Sequence, residues 1–451
     1  MTRHRIALQG SRLLPGQSLA DPVDSSEGWR SACDVVVIGG GIVGVCTALF
    51  LADRGVEVVL IEKGVIAGEA SGRAVSFIDS AMMAREKQEA IRTSKTLWGA
   101  LDRRCGGRTG YRQSGLVFAM DRAKDLLVAA DWARHTTAEA RILTRIEALQ
   151  LMPGGASAPF EGALYLPTDG YADPRRAAPA IADLAKDAGA HLFQGVAARR
   201  ILTEGRRMTG VETERGVIRC RQIVVASGIW STLLLRPLGF EVPQLHGFAT
   251  ASEVAAPALP AGIGGGVGGI AFRPNDQGTH VVGPHLSLAP VTPASIRNAW
   301  RFRHVLRGLG RVIDLAPNLA HFRLMRQAET WRGDGPSPFE THRILEPEHR
   351  HYSEAVALSG LARSFASSEP PRLIRSWAGA LATTPDNMPI IGSVPDHDGL
   401  HLACGMYYGF TFGPVAAAIL AARVMNAVQP VDPNCFRPDR FQDGSSIRFH
   451  Q

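Results

Sequence analysis

Residues 34–63 read DVVVIGGGIVGVCTALFLADRGVEVVLIEK. Asp34 opens a β-branched run, Val35 to Ile38, short enough to be one buried strand of a parallel sheet. Gly39, Gly40, Gly41 and Gly44 follow in a G-x-G-x-x-G arrangement, and small and apolar residues from Val43 to Leu51 predict a helix packed on that sheet. Gly55 stops the helix, and Glu57 to Ile61 predicts a second strand ending at Glu62.

Each residue type in this order has a physical task. Gly39 permits the tight turn, Gly41 lets the backbone approach a pyrophosphate, and Gly44 lets helix and strand pack closely. The helix N-terminus, at Ile42 and Val43, offers unpaired N–H groups and a positive dipole end to phosphates. Glu62 stands 23 residues after Gly39, placed to accept both ribose hydroxyls of an adenosine, with Lys63 beside it. A carboxylate there repels a 2′-phosphate, which disfavours NADP.

The bulk properties exclude several classes. At 451 residues the chain can bury a large core, as two domains or one elaborated unit. Its 48 glycines follow no Gly-X-Y period. The formal charge of +7 comes from scattered arginines, with no basic run interleaved with aromatics, so no nucleic-acid partner is expected. Cys33, Cys46, Cys105, Cys220, Cys404 and Cys435 form no C-x-x-C and fit buried thiols in a reducing compartment. No long apolar segment resembles a secretory signal or a membrane span, so a cytoplasmic location is expected, with peripheral membrane attachment left open.

Residues 1–32 read as an extension that straps over the first domain. Val65 to Ala74 is rich in small residues and must run tightly past something. Asp79 to Arg103 is expected to be helical, Leu116 to Met120 a strand, and Ala123 to Gln150 one or two helices. From Thr168 a loop, a helix opening near Pro174, a stop at Gly189 and a short strand repeat the nucleotide-domain pattern, with Val196 just beyond. Val211–Val217 and Ile218–Val225 suggest paired strands, the second leading into the small-residue turn Ala226-Ser227-Gly228-Ile229-Trp230. Phe272 to Gly283 reads as two strands and a turn, Ser295 to Val305 as a helix, and Arg323 to Trp331 as a strand. Leu400 to Val424 is a strand, a glycine turn and an apolar helix opening around Pro414, whose positive end can face an electron-rich ring carbonyl.

Three separated elements thus converge on one ligand. With VVVIGGGIVG and Glu62, ASGR (70–73), DPRR, VVASGIWS, WAGALATTPDNMPIIG, CGMYYGFTFGP and the terminal PNCFRPDRF, the chain resembles the D-amino-acid oxidase/dehydrogenase and sarcosine oxidase superfamily of FAD-dependent oxidoreductases over roughly residues 33–441. The resemblance implies an α/β fold in which a Rossmann-like FAD-binding domain (33–84, 160–243 and 373–441) is interleaved with an antiparallel-sheet substrate domain (85–159 and 244–372), leaving a tail at 442–451. It implies that Ser71, Gly72 and Arg73 run alongside the flavin ring and that Gly405, Met406, Gly409 and Phe410 form its carboxyl-terminal turn. Val196 would lie on the adenine side, with Ala226, Ser227, Gly228 and Trp230 on the second turn. Gly379 stands where some sarcosine oxidases attach the flavin through cysteine, and residues 64–80 hold no histidine, so noncovalent FAD is expected. Thr411 replaces a lysine of monomeric sarcosine oxidases, which argues for modest oxygen use at best. Ala74-Val75-Ser76 departs from the glycine-rich continuation of many relatives.

The implied reaction is hydride transfer from an amine carbon to flavin, giving an imine that water hydrolyses to a keto product. Candidate substrates are a D-amino acid, an opine, a hydroxyproline isomer or an N-methyl amino acid. A substrate carboxylate needs a cationic fork, for which Arg73, Arg273 and Arg375 are candidates. Tyr407 and Tyr408 are candidates for lining the cavity, Trp377 for a wall, and His246 for a base or substrate contact. His246 and His280, or His349 and His351, lack metal-ligand spacing, so no metal is expected. The electron acceptor is oxygen, a quinone or a protein, and a hetero-oligomer is left open. Two rival readings use the same fold: a hydroxy-acid or polyol-phosphate dehydrogenase, and a flavin-bearing subunit of a larger electron-transfer complex.

Overall fold

The computed structural model describes residues 11–12, 18–152, 157, 159–284, 287–309, 313–333, 335–347, 351–365 and 369–450. Val35–Ile38 and Val58–Glu62 lie side by side and parallel, Val35 opposite Val58. Gln222–Val225 flanks the first strand on its other side, and Leu400–Cys404 pairs with Gln222–Val225. His191–Gln194 and the antiparallel Ile390–Ser393 complete a six-stranded sheet. Three of its interior strands, Gln222–Val225, Val35–Ile38 and Val58–Glu62, are mostly Val, Ile and Leu because both faces are covered. One face carries the helices Ile42–Ala52, Ala177–Asp187 and Gly409–Val424. The opposite face packs on the ribbon Ala198–Glu204, Arg207–Thr213 and Gly216–Arg219 through Ile201, Met208, Val211 and Ile218.

The second sheet is built on two long antiparallel strands, Leu245–Ala255 and Arg372–Thr383, running from Leu245 opposite Thr383 to Ala255 opposite Arg372. It extends through His280–Pro284, Ile270–Pro274 and Gly264–Val267 to Leu116–Met120, Gly162–Leu166 and Arg141–Thr144. It is mainly antiparallel, with Leu116–Met120 joining Gly264–Val267 in parallel. The helix His351–Ser364 packs against it over Phe272, Val282 and Val254.

Several expectations need correction. Arg323–Trp331 is not a strand: the helix Leu319–Thr330 occupies it, burying His321, Leu324 and Met325 at helical spacing, with the Asn318 side chain accepting the His321 N–H at its start. A strand, Arg141–Thr144, interrupts the helical stretch 123–150. The ribbon turns at Gly216, so the strand Gln222–Val225 is separate and belongs to the first sheet. Ser295–Val305 divides between Pro293–Arg297 and Arg303–Leu309, and the helix expected from Asp79 runs Arg85–Arg104. Gly162–Leu166 and Arg372–Thr383, assigned to the nucleotide domain (the latter from residue 373 on), are strands of the second sheet, while Arg85–Arg104, assigned to the substrate domain, packs on the C-terminal helix.

Where it is described, the extension touches both sheets rather than the first domain alone. Ser11–Arg12 pairs in parallel with Arg375–Ser376, and Ser26 donates its N–H to Leu192 along the edge strand of the first sheet. Residues 1–10 and 13–17 of the extension, and His349, lie outside the described residues. At the other end, Lys87 and Asn387 both donate to the His450 carbonyl, pinning the tail.

Candidate flavin and substrate cavity

The first glycine turn is compressed between strands. Gly39 has φ 115°, and a Cβ there would lie 2.5 Å from the Ala226 oxygen, while one on Gly44 would collide with the Gly39 carbonyl. The turn after Gln222–Val225 is therefore brought directly against the first. The Ser71 hydroxyl accepts the Ile42 N–H at 3.0 Å, tying the ASGR segment to the start of the first helix. Glu62 accepts the N–H groups of Gly40 and Gly64, both at 2.7 Å, which fixes its carboxylate. Burial raises its pKa, opposed by Lys63 and those two N–H groups. Both oxygens keep lone pairs for further donors. Lys63 lies 2.6 Å from Glu69 and 4.5 Å over the Trp230 ring, whose Nε1–H donates to Glu69 at 2.8 Å.

From this end a cavity of about 710 Å³ runs between the two sheets. Gly39, Gly41, Ile42, Val43, Glu62, Lys63, Val196, Ala226, Ser227, Gly228 and Trp230 are among its lining residues. So are Ser71, Arg73, Gly379, Gly405, Met406, Tyr407, Tyr408, Gly409 and Phe410. The second sheet adds Phe118, Met120, Leu164, Thr250, Gly266, Ala271 and Pro284, and Asp79 and Met82 also line it. The sequence reading missed these second-sheet residues. Their strands were legible, but which residues of a sheet face a cavity is fixed by how it packs on the other layer.

The C-terminal helix opens at Gly409, five residues before Pro414. Proline has no N–H for the Phe410 carbonyl one turn back. The Trp98 indole donates to that oxygen at 2.8 Å instead, and its ring stacks on Phe410 with centroids 5.5 Å apart. Burial, then the neighbouring Tyr407 and Asp79, holds the Tyr408 hydroxyl protonated well above the usual range.

Other candidates are not on the cavity wall. Gly44 and Gly72 serve close packing, Gly72 against the Ala67 carbonyl. Thr411 is buried with its hydroxyl between the Phe77 carbonyl, 3.3 Å away, and the Asp79 N–H, at 3.2 Å. His246 faces His321 at 3.1 Å, and burial lowers its pKa to about 3. Arg375 is held by Glu253 at 2.6 Å. Arg273 donates to the Val75 and Pro274 carbonyls and stands beside Tyr171. Arg73 does reach the wall, but its guanidinium binds the carbonyls of Gly68 and Ala378 and lies 3.4 Å from Glu346. Trp377 donates to the Arg73 carbonyl at 2.8 Å and is not a wall residue. None of the three proposed arginine forks is aimed as a carboxylate clamp, because each guanidinium already braces backbone or an acid.

The donor set fits a flavin dinucleotide: a glycine turn at a helix start, an acid positioned for ribose hydroxyls, and a third turn opening a helix, all on one continuous cavity. The model of the FAD dependent oxidoreductase (DAO) family matches residues 34–423. The chain is 28% identical over 417 residues to the glycine oxidase of Pseudomonas aeruginosa, covering 90% of this chain and 98% of that protein. It spans only 28% of the length of another relative, the 4-methylaminobutanoate oxidase (formaldehyde-forming) of Paenarthrobacter nicotinovorans, at 27% identity over half of this chain. Among solved structures, the L-amino acid deaminase of Proteus myxofaciens, in complex with anthranilate, superposes with a TM-score of 0.89 at 32% identity, covering 94% of this chain and 97% of that one. With three glycine turns on one cavity and a family model matching almost the whole chain, the protein belongs to the FAD-dependent oxidoreductases.

Proposed function

We infer that the protein oxidises the C–N bond of an amino or imino acid by FAD-linked dehydrogenation, giving an imine and then a keto product. The observation that carries this reading is a single cavity whose wall includes Glu62, Tyr407, Tyr408 and the apolar side chains of Phe118, Met120 and Leu164. FAD, when bound, supplies the two-electron acceptor. Gly39, Gly41 and the positive end of the helix Ile42–Ala52, whose Ile42 N–H is already given to Ser71, would hold its pyrophosphate, and Glu62 its ribose. Phe118, Met120, Leu164 and Met82 exclude water and hold the substrate's apolar part, while the tyrosines offer hydroxyls to its polar end.

The shortlist of substrates remains a D-amino acid, an opine, a hydroxyproline isomer or an N-methyl amino acid. Noncovalent attachment is supported by Gly379 on the wall where some relatives carry cysteine, and by Cys404, a wall residue whose thiol burial pushes up to about 12. Anaerobic mixing of the purified holoprotein with these compounds should bleach its flavin absorbance and release a keto acid, and acid precipitation should leave FAD in the supernatant. Bleaching by hydroxy acids or glycerol 3-phosphate, with none by any amine, would overturn the reading in favour of alcohol oxidation.

A further inference from the structure

Two acids lie buried together beneath the cavity, and they are treated differently by the fold. Asp169 is fully partnered: it accepts the Ser80 N–H at 2.7 Å and the Ser80 hydroxyl at 2.9 Å, and forms an ion pair with Lys95. Asp79 belongs to the cavity wall, is 6% exposed, and its Oδ1 has no hydrogen-bond partner. A buried carboxylate oxygen left without a donor bears a desolvation cost that a paired one recovers, and on a cavity wall a bound ligand can supply the missing donor. The position is rigid as well. The strand Phe77–Ile78 leads into it, and its own N–H is held by Thr411 at the start of the C-terminal helix.

The charges around it point to the ligand's sign. Lys95 is spent on Asp169, and Lys87 donates to the His450 carbonyl. Among the described wall residues the cations are Lys63 and Arg73, and both are engaged with Glu69 or with backbone and Glu346. Tyr408, near enough for the Asp79 charge to help keep its hydroxyl protonated, brings a neutral group. A partner of positive charge must therefore arrive with the substrate.

We propose that Asp79 receives the substrate's ammonium group and takes its proton, leaving the free amine from which the C–H bond is broken; this rests on the amine-oxidising reading above. In that step one N–H bond breaks, one O–H bond forms on the Asp79 carboxylate, and the electron pair stays on nitrogen. Oxidation of the neighbouring carbon needs that pair, because an ammonium cannot become an imine. Burial first, and then the Asp169 charge, raises the Asp79 pKa to about 7, with Lys95 and Lys87 opposing. The acceptor form is thus present above about pH 7 and lost below it.

The test uses the holoprotein and a matched pair of ligands that cannot be oxidised: α-methylphenylalanine and its deaminated analogue 2-methyl-3-phenylpropanoate. Binding is followed by perturbation of flavin absorbance and by calorimetry. The wild type should prefer the amino ligand, and increasingly so from about pH 6 to about pH 8 as Asp79 ionises. Asp79→Asn should weaken the amino ligand about tenfold or more, leave the deaminated one unchanged, and flatten the pH dependence. Asp79→Glu should restore part of the preference. Equal weakening of both ligands, or no preference in the wild type, would overturn the proposal. Should Asp79→Asn fail to retain FAD, the wild-type pH profile decides alone, and a flat profile counts against it. Failure of the amine reading itself looks different, since no amine would then bleach the wild-type flavin.

Discussion

Arg375 carries the kind of side chain that invites a functional reading, and its surroundings give it another use. Its guanidinium lies 2.6 Å from Glu253, which is only 2% exposed and also accepts the Thr279 hydroxyl at 2.7 Å. Removing the arginine strands a buried acid, with Arg175 at 3.9 Å as its remaining cation. Arg375→Met should therefore lower unfolding free energy by about 2 kcal/mol in urea titrations while changing substrate affinity less than twofold. A large loss of affinity at unchanged stability would instead return Arg375 to the site. At this scale the packing roles of Gly39 and Gly44 were legible, because a left-handed turn and a close helix–strand approach each demand glycine. Asp79 was not. Its significance depends on lacking a partner, and no single sequence records what a side chain fails to touch.

The C-terminal helix shows how an element can depend on a residue far along the chain. Pro414 leaves the Phe410 carbonyl without its helical donor, and Trp98 on Arg85–Arg104 supplies one. Trp98→Phe should cost about 1–3 kcal/mol and weaken FAD binding, since Phe410 and Gly409 line the cavity. Adding Pro414→Ala should recover part of that loss by restoring the helix's own N–H, so a double-mutant cycle in thermal melts should be non-additive. Strict additivity would show the indole hydrogen bond to be irrelevant. The helix itself was readable as an apolar run after a glycine turn, but its start was misplaced because proline often marks a helix beginning. Leu319–Thr330 was misread for a related reason. The period of His321, Leu324 and Met325 and the Asn318 cap were both available, yet a short apolar run invites alternation as easily as helix.

For the whole molecule, both sheets contribute to one cavity wall, so a ligand filling it should hold the layers together. Adding FAD to the apoprotein should raise its melting temperature progressively, corresponding to about 2.7 kcal/mol at a hundredfold excess over Kd. A melting temperature indifferent to FAD in calorimetry would contradict a shared wall. The interleaving of the chain was legible from three distant glycine turns, since each had the strand–turn–helix order of one layer. Ownership of Gly162–Leu166 and Arg372–Thr383 was not, because a strand's sequence says that it is buried without naming the neighbour it pairs with.

Chain order also has a consequence for synthesis. Leu400–Cys404 sits beside Gln222–Val225, near the middle of the first sheet, although the second sheet's long strands and helices are translated between them. Until those last residues emerge, the nascent polypeptide carries an apolar strand edge open to any passing β-segment. Ribosome-bound intermediates halted before residue 400 should be the species that chaperones hold and that aggregate when overproduced.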